Sequence, residues 1–347
     1  MLVFRFYSSI SNKIMNLFEL TKELMNIPSV SGNEQQVGGF LGEYLESFGY
    51  EVELQEVVDG RKNVIAWASD NPKVFLSTHM DTVPPFIPPT EDDEKIYGRG
   101  SCDAKGIIAS QIIAAERLRE KGIGDIGLLY TVDEEESGAG ARAANELPIA
   151  EKCKYLINGE PTDLDLAIGS KGSLRMLLKA EGKAAHSAYP EMGDSAIEKI
   201  LDVLQDILNA DLPKDDFFGE TTLNIGTIKG GLKTNVVAPS AEAGLHIRMV
   251  SELEPVVEVL EKAISGRATL ETMSCSLPVK MLEVEGFKQK VVRFTTDIPY
   301  LTNWGTPLLL GPGSILDAHT SHEFVLNRDL EEAVGLYETL VKKLLNT

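Results

Sequence analysis

The chain has 347 residues, 43% hydrophobic and 25% charged, an ordinary globular composition with room for two domains and a sizeable core. Its formal net charge of −20 argues against a nucleic acid or an anionic membrane as partner, and suits an acidic cytoplasmic enzyme and a cationic substrate. No run of about 18 apolar residues occurs, so no membrane span is expected.

Residues 1–14 carry Arg5 and Lys13 but no acidic residue. Their apolar stretch is too short for a signal peptide. A transit peptide stays open, but the reading preferred here is a disordered or loosely docked extension, with the domain starting at Met15. Helical spacing then covers 16–26, and Pro28 stops it. Ser31 and Glu34 read as a capping box for a second helix whose apolar face is Phe40, Leu41, Tyr44, Leu45 and Phe48. Strands are expected at 51–57, 63–68 and 74–78, a helix at 106–121, and buried strands at 126–132 and 155–158.

After Gly169 the pattern changes. Strands at 174–181, 223–228, 241–249 and 269–275, with helices at 194–209 and 252–264, give a β-α-β-β-α-β order. That is the split ferredoxin-like arrangement, here inserted into the first domain. The chain then returns with a helix near 286–293, a strand at 307–310 and a closing helix over 330–345. The expected fold is α/β, a mixed and mostly parallel sheet flanked by helices. Residues 15–171 and 280–347 would form the catalytic, metal-binding domain, and 172–279 an inserted α+β lid and dimerisation domain.

Three of these strands deliver chemistry to their carboxyl ends, where open α/β sheets bind ligands. The first ends in His79 and Asp81, and Asp103 follows a Gly98-Arg-Gly turn. The second ends in Asp133-Glu134-Glu135, the third in Glu160. Taken singly, each residue has a plain alternative: a structural His, a solvated acidic loop, a turn Glu. Together with His319 they make a ligand set for two cations, which in hydrolases lie about 3.5–4 Å apart and keep open positions. His79, Asp103, Glu135, Glu160 and His319 would share two Zn²⁺, with Co²⁺ or Mn²⁺ also suited to His and carboxylate donors. Asp81 could accept the second ring N–H of His79, leaving Glu134 as general base. The cysteines, Cys102, Cys153 and Cys275, form neither a disulfide framework nor a C-x-x-C pair. Cys102, beside Asp103, reads as a small filler.

The segments THMDTV, GRGSCDAKG, DEEESGAGA, GEPT, GKAAHSAYP, GGLKTNVVAPS, LHIR and the final GPG…AHTSHE, in this order, resemble one family. It is the di-zinc metallopeptidase family of acetylornithine deacetylase, succinyl-diaminopimelate desuccinylase, aminoacylase and carboxypeptidase G. The resemblance runs from about Leu17 to Leu345. It implies that His79, Asp103 and Glu160 hold one metal, and Asp103, Glu135 and His319 the other, with Asp103 bridging. It implies Glu134 as the base and Asp81 as the residue orienting His79. His186 would reach the site of a partner subunit and polarise the scissile carbonyl, with dimerisation through the inserted domain. Asn235, Arg248, Gly311 and Gly313 would line the substrate pocket, Arg248 pairing with the substrate α-carboxylate. A cis peptide at Asp103–Ala104 is implied as well.

Two positions depart from the pattern. His246 stands where many relatives have an Asp, two residues before the substrate Arg. The terminal motif holds both His319 and His322, and the ligand is assigned to His319. The reading is a metal-dependent hydrolase of N-acyl amino acids, nearest to N-acetylornithine deacetylase. A desuccinylase, using Lys171, Arg175 or Lys233 for a second carboxylate, is the alternative, as is a dipeptidase. A non-catalytic metal-binding scaffold would lack the base or a ligand, and none is lacking here.

Overall fold

The computed structural model describes residues 15–346, so the extension expected at 1–14 lies outside the described residues. The first helix, α1 (Leu17–Asn26), opens on a capping box of its own. The Asn16 side chain accepts the Phe18 and Glu19 N–H groups, and the Glu19 carboxylate accepts that of Asn16. The second helix, α2 (Gln35–Ser47), has no side-chain cap. The box expected from Ser31 and Glu34 does not form, because both side chains bond elsewhere.

Strands β1 (Glu51–Val58) and β2 (Arg61–Trp67) make an antiparallel hairpin. Next come β3 (Val74–His79), the short β4 (Thr90–Glu91) and β5 (Lys95–Tyr97), α3 (Lys105–Glu120), β6 (Ile126–Thr131), α4 (Ala139–Ala144), β7 (Tyr155–Asn158) and β8 (Leu166–Ser170). The main sheet runs β1-β2-β6-β3-β7, then a late strand, then β8. Its centre is parallel, β3 lying between β6 and β7. Both β3 and β6 are buried along their whole length, which is why they read as unbroken apolar runs. Their side chains alternate between two cores. Val74, Leu76, Leu128 and Tyr130 join α1, α2 and α3 on one side. Phe75 and Leu129 pack with Trp304 on the other, where the Phe75 and Trp304 rings meet edge to face at 4.9 Å.

The inserted segment supplies β9 (Gly172–Glu181), α5 (Ala196–Leu208), a small hairpin of β10 (Lys214–Asp215) and β11 (Gly219–Glu220), β12 (Thr222–Gly230), β13 (Ser240–Met249), α6 (Leu253–Ile264) and β14 (Thr269–Ser276). Its four-stranded antiparallel sheet has the order β12-β13-β9-β14. Residues from α5 and α6 pack on the alternate buried positions of β9 and β13. By compactness the chain divides into two units. One takes the described residues up to Ile168, Met281–Lys290 and those from Thr296 on. The other takes Gly169–Lys280 and Val291–Thr295, against the 172–279 expected for the insertion.

After β15 (Val279–Lys280), the helix expected near 286–293 is instead a strand, β16 (Gln289–Val292), paired with β8. The β-branched Val291-Val292 and the open bonding edge of β8 favour extended backbone there. Strand β17 (Thr306–Leu309) slots beside β7, parallel to it. Strand β18 (Phe324–Leu326) joins β5 and β4 in a small antiparallel sheet, and α7 (Asn327–Leu345) closes the chain against α3 and α1.

Candidate metal centre

His79 is the last residue of β3 and is buried. Its Nε2 lies 2.9 Å from Asp103 Oδ1. The other carboxylate oxygen, Asp103 Oδ2, lies 3.2 Å from His319 Nε2, which in turn lies 2.8 Å from Glu135 Oε1. One carboxylate thus meets two imidazoles, one on each oxygen. Donor atoms of His79, Asp103 and Glu135 all fall within 4.8 Å of one another. Glu160, the further ligand expected from the sequence, is buried just past β7, and its charge acts on His79. The Asp103–Ala104 peptide is cis, as the resemblance implied.

Asp103 is held by its backbone. Glu323 Oε1 accepts the N–H groups of Gly100 at 2.8 Å and of Cys102 and Asp103 at 3.3 Å each. Its other oxygen takes Arg99 Nη1 at 2.5 Å. Glu323 and Arg99 were not singled out from the sequence. The available signal was an acid four residues after His319 and an Arg inside the glycine turn. Cys102 is fully buried, and burial together with Glu323 pushes its thiol far up, so it stays a neutral filler.

The loop after β6 is held in the same way. Asp81 Oδ1 accepts the Glu134 N–H at 3.1 Å, and Oδ2 accepts the Glu135 N–H at 3.2 Å and the Ser31 hydroxyl at 2.7 Å. The second ring nitrogen of His79 is met by the Asp81 main-chain carbonyl at 2.9 Å, while the carboxylate Oδ1 is 3.5 Å away. Asp81 therefore orients His79 mainly through its backbone, and its carboxylate aims the next strand's loop. Asp133 has φ +65°, a left-handed conformation uncommon outside glycine. It is pinned by Arg61 Nη1 at 2.8 Å, itself 3.1 Å from Glu34 Oε1, and the same Glu34 oxygen accepts the Asp133 N–H. This is where the two supposed capping side chains went.

The electrostatics carry an acid surplus. Burial, then repulsion from Glu160, lifts the Glu134 carboxyl far above the carboxylate range, and burial lifts Glu160 likewise. Burial also works to raise Asp103, yet bonds from His319 and His79 hold it low. Hydrogen bonds to Asp103 and Glu135 push His319 up to about 10. Donors of His and carboxylate type, crowded until they compete for protons, fit divalent cations of the Zn²⁺, Co²⁺ or Mn²⁺ kind.

Gly311 and Gly313 are buried by neighbouring chain. A Cβ at Gly311 would lie 2.4 Å from the Glu160 carbonyl oxygen, and one at Gly313, where φ is +79°, 2.5 Å from the Cys102 Cβ. Their glycine is required by close packing against the ligand-bearing turns. The Thr162 hydroxyl accepts the Gly311 N–H at 3.0 Å, which explains why GEPT and GPG go together.

His186, Asn235 and Arg248 belong to the second unit. His186 and Asn235 are exposed and adjoin, Ser187 N–H donating to the Asn235 carbonyl at 3.0 Å. His186 Nδ1 accepts the Ala188 N–H at 3.1 Å, so in the neutral ring Nε2 carries the proton. Arg248 is half-buried on β13, its Nη1 3.2 Å from Thr295 Oγ. His246 shares that strand face and contacts Ser173 Oγ at 2.9 Å. Burial, then the charges of Arg248 and Arg175, push it down to about 4, so it is neutral. Lys171 is buried and donates to the Glu220 carbonyl, whereas Arg175 and Lys233 are exposed. His322 is exposed and makes no contact with the cluster through its ring among the described bonds.

The chain matches known proteins over most of its length. A model of peptidase family M20/M25/M40 matches residues 75–343. A peptidase M20 domain-containing protein of Schizosaccharomyces pombe is 40% identical over 338 residues, covering 94% of this chain and 84% of that protein. A probable carboxypeptidase of Talaromyces marneffei is 38% identical over 384 residues, covering 94% of this chain and 85% of that protein. Among solved structures, a tripeptidase of Staphylococcus aureus superposes with a TM-score of 0.78 at 24% identity, over 95% of this chain and 98% of that one.

Proposed function

The chain belongs to peptidase family M20/M25/M40 and is a metal-dependent hydrolase of amide bonds; from that premise we propose a carboxypeptidase-type reaction that frees an amino acid from an acyl or short peptidyl group. The observation that carries the reading is Asp103, met by one imidazole on each carboxylate oxygen with Glu135 alongside. In it, His79, Asp103 and Glu160 would hold one cation, and Asp103, Glu135 and His319 the second. When bound, the cations supply Lewis acidity for the scissile carbonyl and the attacking water.

The chain's own groups do the rest. Glu134 sits next to Glu135, its N–H fixed by Asp81, and burial with the neighbouring Glu160 raises its carboxyl, the direction that strengthens a base. It takes the proton of the attacking water and returns it to the leaving amine. His186, with Nδ1 occupied, offers Nε2–H to the carbonyl oxygen as negative charge develops there. Arg248 offers a planar fork to the α-carboxylate of the residue released, with Asn235 beside His186 as a further polar contact. Gly311 and Gly313 bring the terminal loop close against Glu160 and Cys102.

The Talaromyces marneffei relative is described as a probable carboxypeptidase, which favours a C-terminal residue as leaving group. N-acetylornithine deacetylation is the same chemistry with a small acyl group, and the net charge of −20 favours it through attraction of a cationic side chain. A homodimer is also part of the reading, with His186 serving the partner's site. The strand β12 is a free sheet edge, and Ile228 on it, with Ile197 and Leu201 on the neighbouring α5, is exposed.

The test is a substrate panel with added Zn²⁺ or Co²⁺: N-acetylornithine, N-acetylmethionine, N-succinyl-diaminopimelate, two dipeptides, and the α-carboxamide of each acetyl compound. Turnover of compounds with a free α-carboxylate, abolished by chelator and weakened in the carboxamides, is the expected result. Carboxamides cleaved as fast as carboxylates would remove the Arg248 role and the carboxypeptidase assignment with it.

A further inference from the structure

Asp297 is a buried carboxylate that the reaction above does not use. It is 2% exposed, and its Oδ2 accepts the Thr131 hydroxyl at 2.7 Å. Thr131 closes β6 in register with His79. Its carbonyl takes the Met80 N–H at 2.8 Å, and it stands three residues before Glu134. The chain beyond Asp297 grips the far end of the same loop. Tyr300 lies 3.9 Å under the Arg142 guanidinium, Asn303 N–H donates to Asn145 Oδ1 at 2.7 Å, and Trp304 Nε1 donates to the Ala144 carbonyl at 3.1 Å. Residues 297–304 thus clasp both ends of the segment that carries Glu134 and Glu135.

Just upstream, the chain is tied to a different group. The Thr295 hydroxyl donates to the Lys171 carbonyl at 3.0 Å and accepts Arg248 Nη1 at 3.2 Å. These bonds lie within the second unit, while the Asp297–Thr131 bond lies within the first. Thr295 and Asp297 are separated by one residue of chain, so the tie between the two anchors is covalent.

A charged acid is a costly way to anchor one hydroxyl in a buried place; an Asn would accept the same bond. It gives a stronger, shorter acceptor bond to Thr131. We propose that Asp297 is a positioning residue that links recognition of the substrate carboxylate at Arg248 to the placement of Glu134, through the segment Thr295–Asp297. The link rests on the Arg248 role given under the proposed function. A carboxylate drawing on the Arg248 guanidinium changes its bond to Thr295. Asp297, two residues on, passes that change to Thr131 and the loop behind it. Binding energy from a non-reacting part of the substrate then appears in kcat rather than in KM, because small misplacements of a catalytic group are expensive in rate.

The experiment compares kcat and KM on N-acetylmethionine and N-acetylmethioninamide for the wild type, Arg248→Ala, Asp297→Ala, Asp297→Asn and Thr295→Val, each checked for metal content. The wild type should favour the carboxylate in kcat, and Arg248→Ala should abolish that preference. Asp297→Ala should lower carboxylate turnover about 10²-fold with KM and bound metal held, and lower carboxamide turnover far less. Asp297→Asn, which keeps an acceptor for Thr131 but loses the stronger charged bond, should recover only part of the loss. An equal fall on both substrates would make Asp297 merely structural and end the proposal. A preference lost in Arg248→Ala but kept in Asp297→Ala and Thr295→Val would end the link while leaving the Arg248 role. A preference kept in Arg248→Ala would end both. Should Asp297→Ala fail to fold, Thr295→Val, altered only at a half-buried hydroxyl, decides between the same outcomes.

Discussion

At the scale of single residues, the site is a problem in proton placement. Glu134 is next to Glu135 but bonded to none of the histidines in the described structure, and its carboxyl lies far above the ordinary range because of burial and Glu160. Glu134→Ala should therefore lower kcat by at least ~10²-fold while both metals stay bound. Metal analysis beside turnover checks this, and an active variant would pass the base role to another group. His319 supplies a second prediction. Its value near 10 in the metal-free protein exceeds the ordinary His value of about 6.5. The stability it contributes is therefore complete below about 6.5 and lost as pH rises through about 10. A cation that takes His319 must expel that proton, so loading should release protons at pH 7–8 and tighten as pH rises. Calorimetry in two buffers of unlike ionisation heat measures the release, and none detected would take His319 out of the ligand set. That His79, Asp103, Glu135 and His319 gather was legible because His, Asp and Glu stood at strand ends and loop tips. What Asp81 does was not, since spacing cannot tell a carbonyl from a carboxylate as the partner of a ring nitrogen.

At the scale of elements, sequence periodicity located the central strands and long helices to within a few residues, because buried parallel strands and amphipathic helices leave strong patterns. It failed where a side chain had two uses. Ser31 and Glu34 have capping-box spacing, yet Ser31 bonds Asp81 and Glu34 bonds Arg61 and Asp133. Only the fold, which brings β2 and β6 together, reveals the stronger partners. The stretch 286–293 failed for a related reason: its pairing strand β8 was not read from the sequence. Glu323 is the clearest case of an element held by one side chain. It takes three backbone N–H groups of the turn presenting Asp103, and Arg99 besides, with both side chains at 2% exposure or less. Glu323→Ala leaves a buried guanidinium and three donors without that acceptor, so it should cost about 3–5 kcal/mol. Urea unfolding of the metal-free protein measures this. A loss below about 1 kcal/mol, the level of a surface pair, would show that water replaces the carboxylate.

At the scale of the whole molecule, the residues given roles in the proposed reaction are spread over two compact units. The residues proposed as base and ligands lie in the first unit, and His186, Asn235 and Arg248 in the second. In the sequence the pattern changes after Gly169 and the β-α-β-β-α-β order follows, and the second compact unit begins at Gly169. Which copy's His186 serves which site is not written in any periodicity, because a free edge at β12 and exposed Ile228 and Leu201 name no partner. Mixing inactive variants answers it. If His186 acts across a homodimer, a mixed dimer of Glu134→Ala and His186→Ala contains one site with both residues intact. Random exchange should then restore roughly a quarter of wild-type activity, as two-fold symmetry requires. If His186 acts within its own chain, every site in the mixed dimer lacks one of the two, and activity stays at the level of the separate variants. Native mass spectrometry of the mixture, run beside the assay, establishes that the mixed dimer forms. Its presence without restored activity would keep the dimer and place His186 in its own subunit's site. A mass of one chain only would remove the dimer and the shared site together.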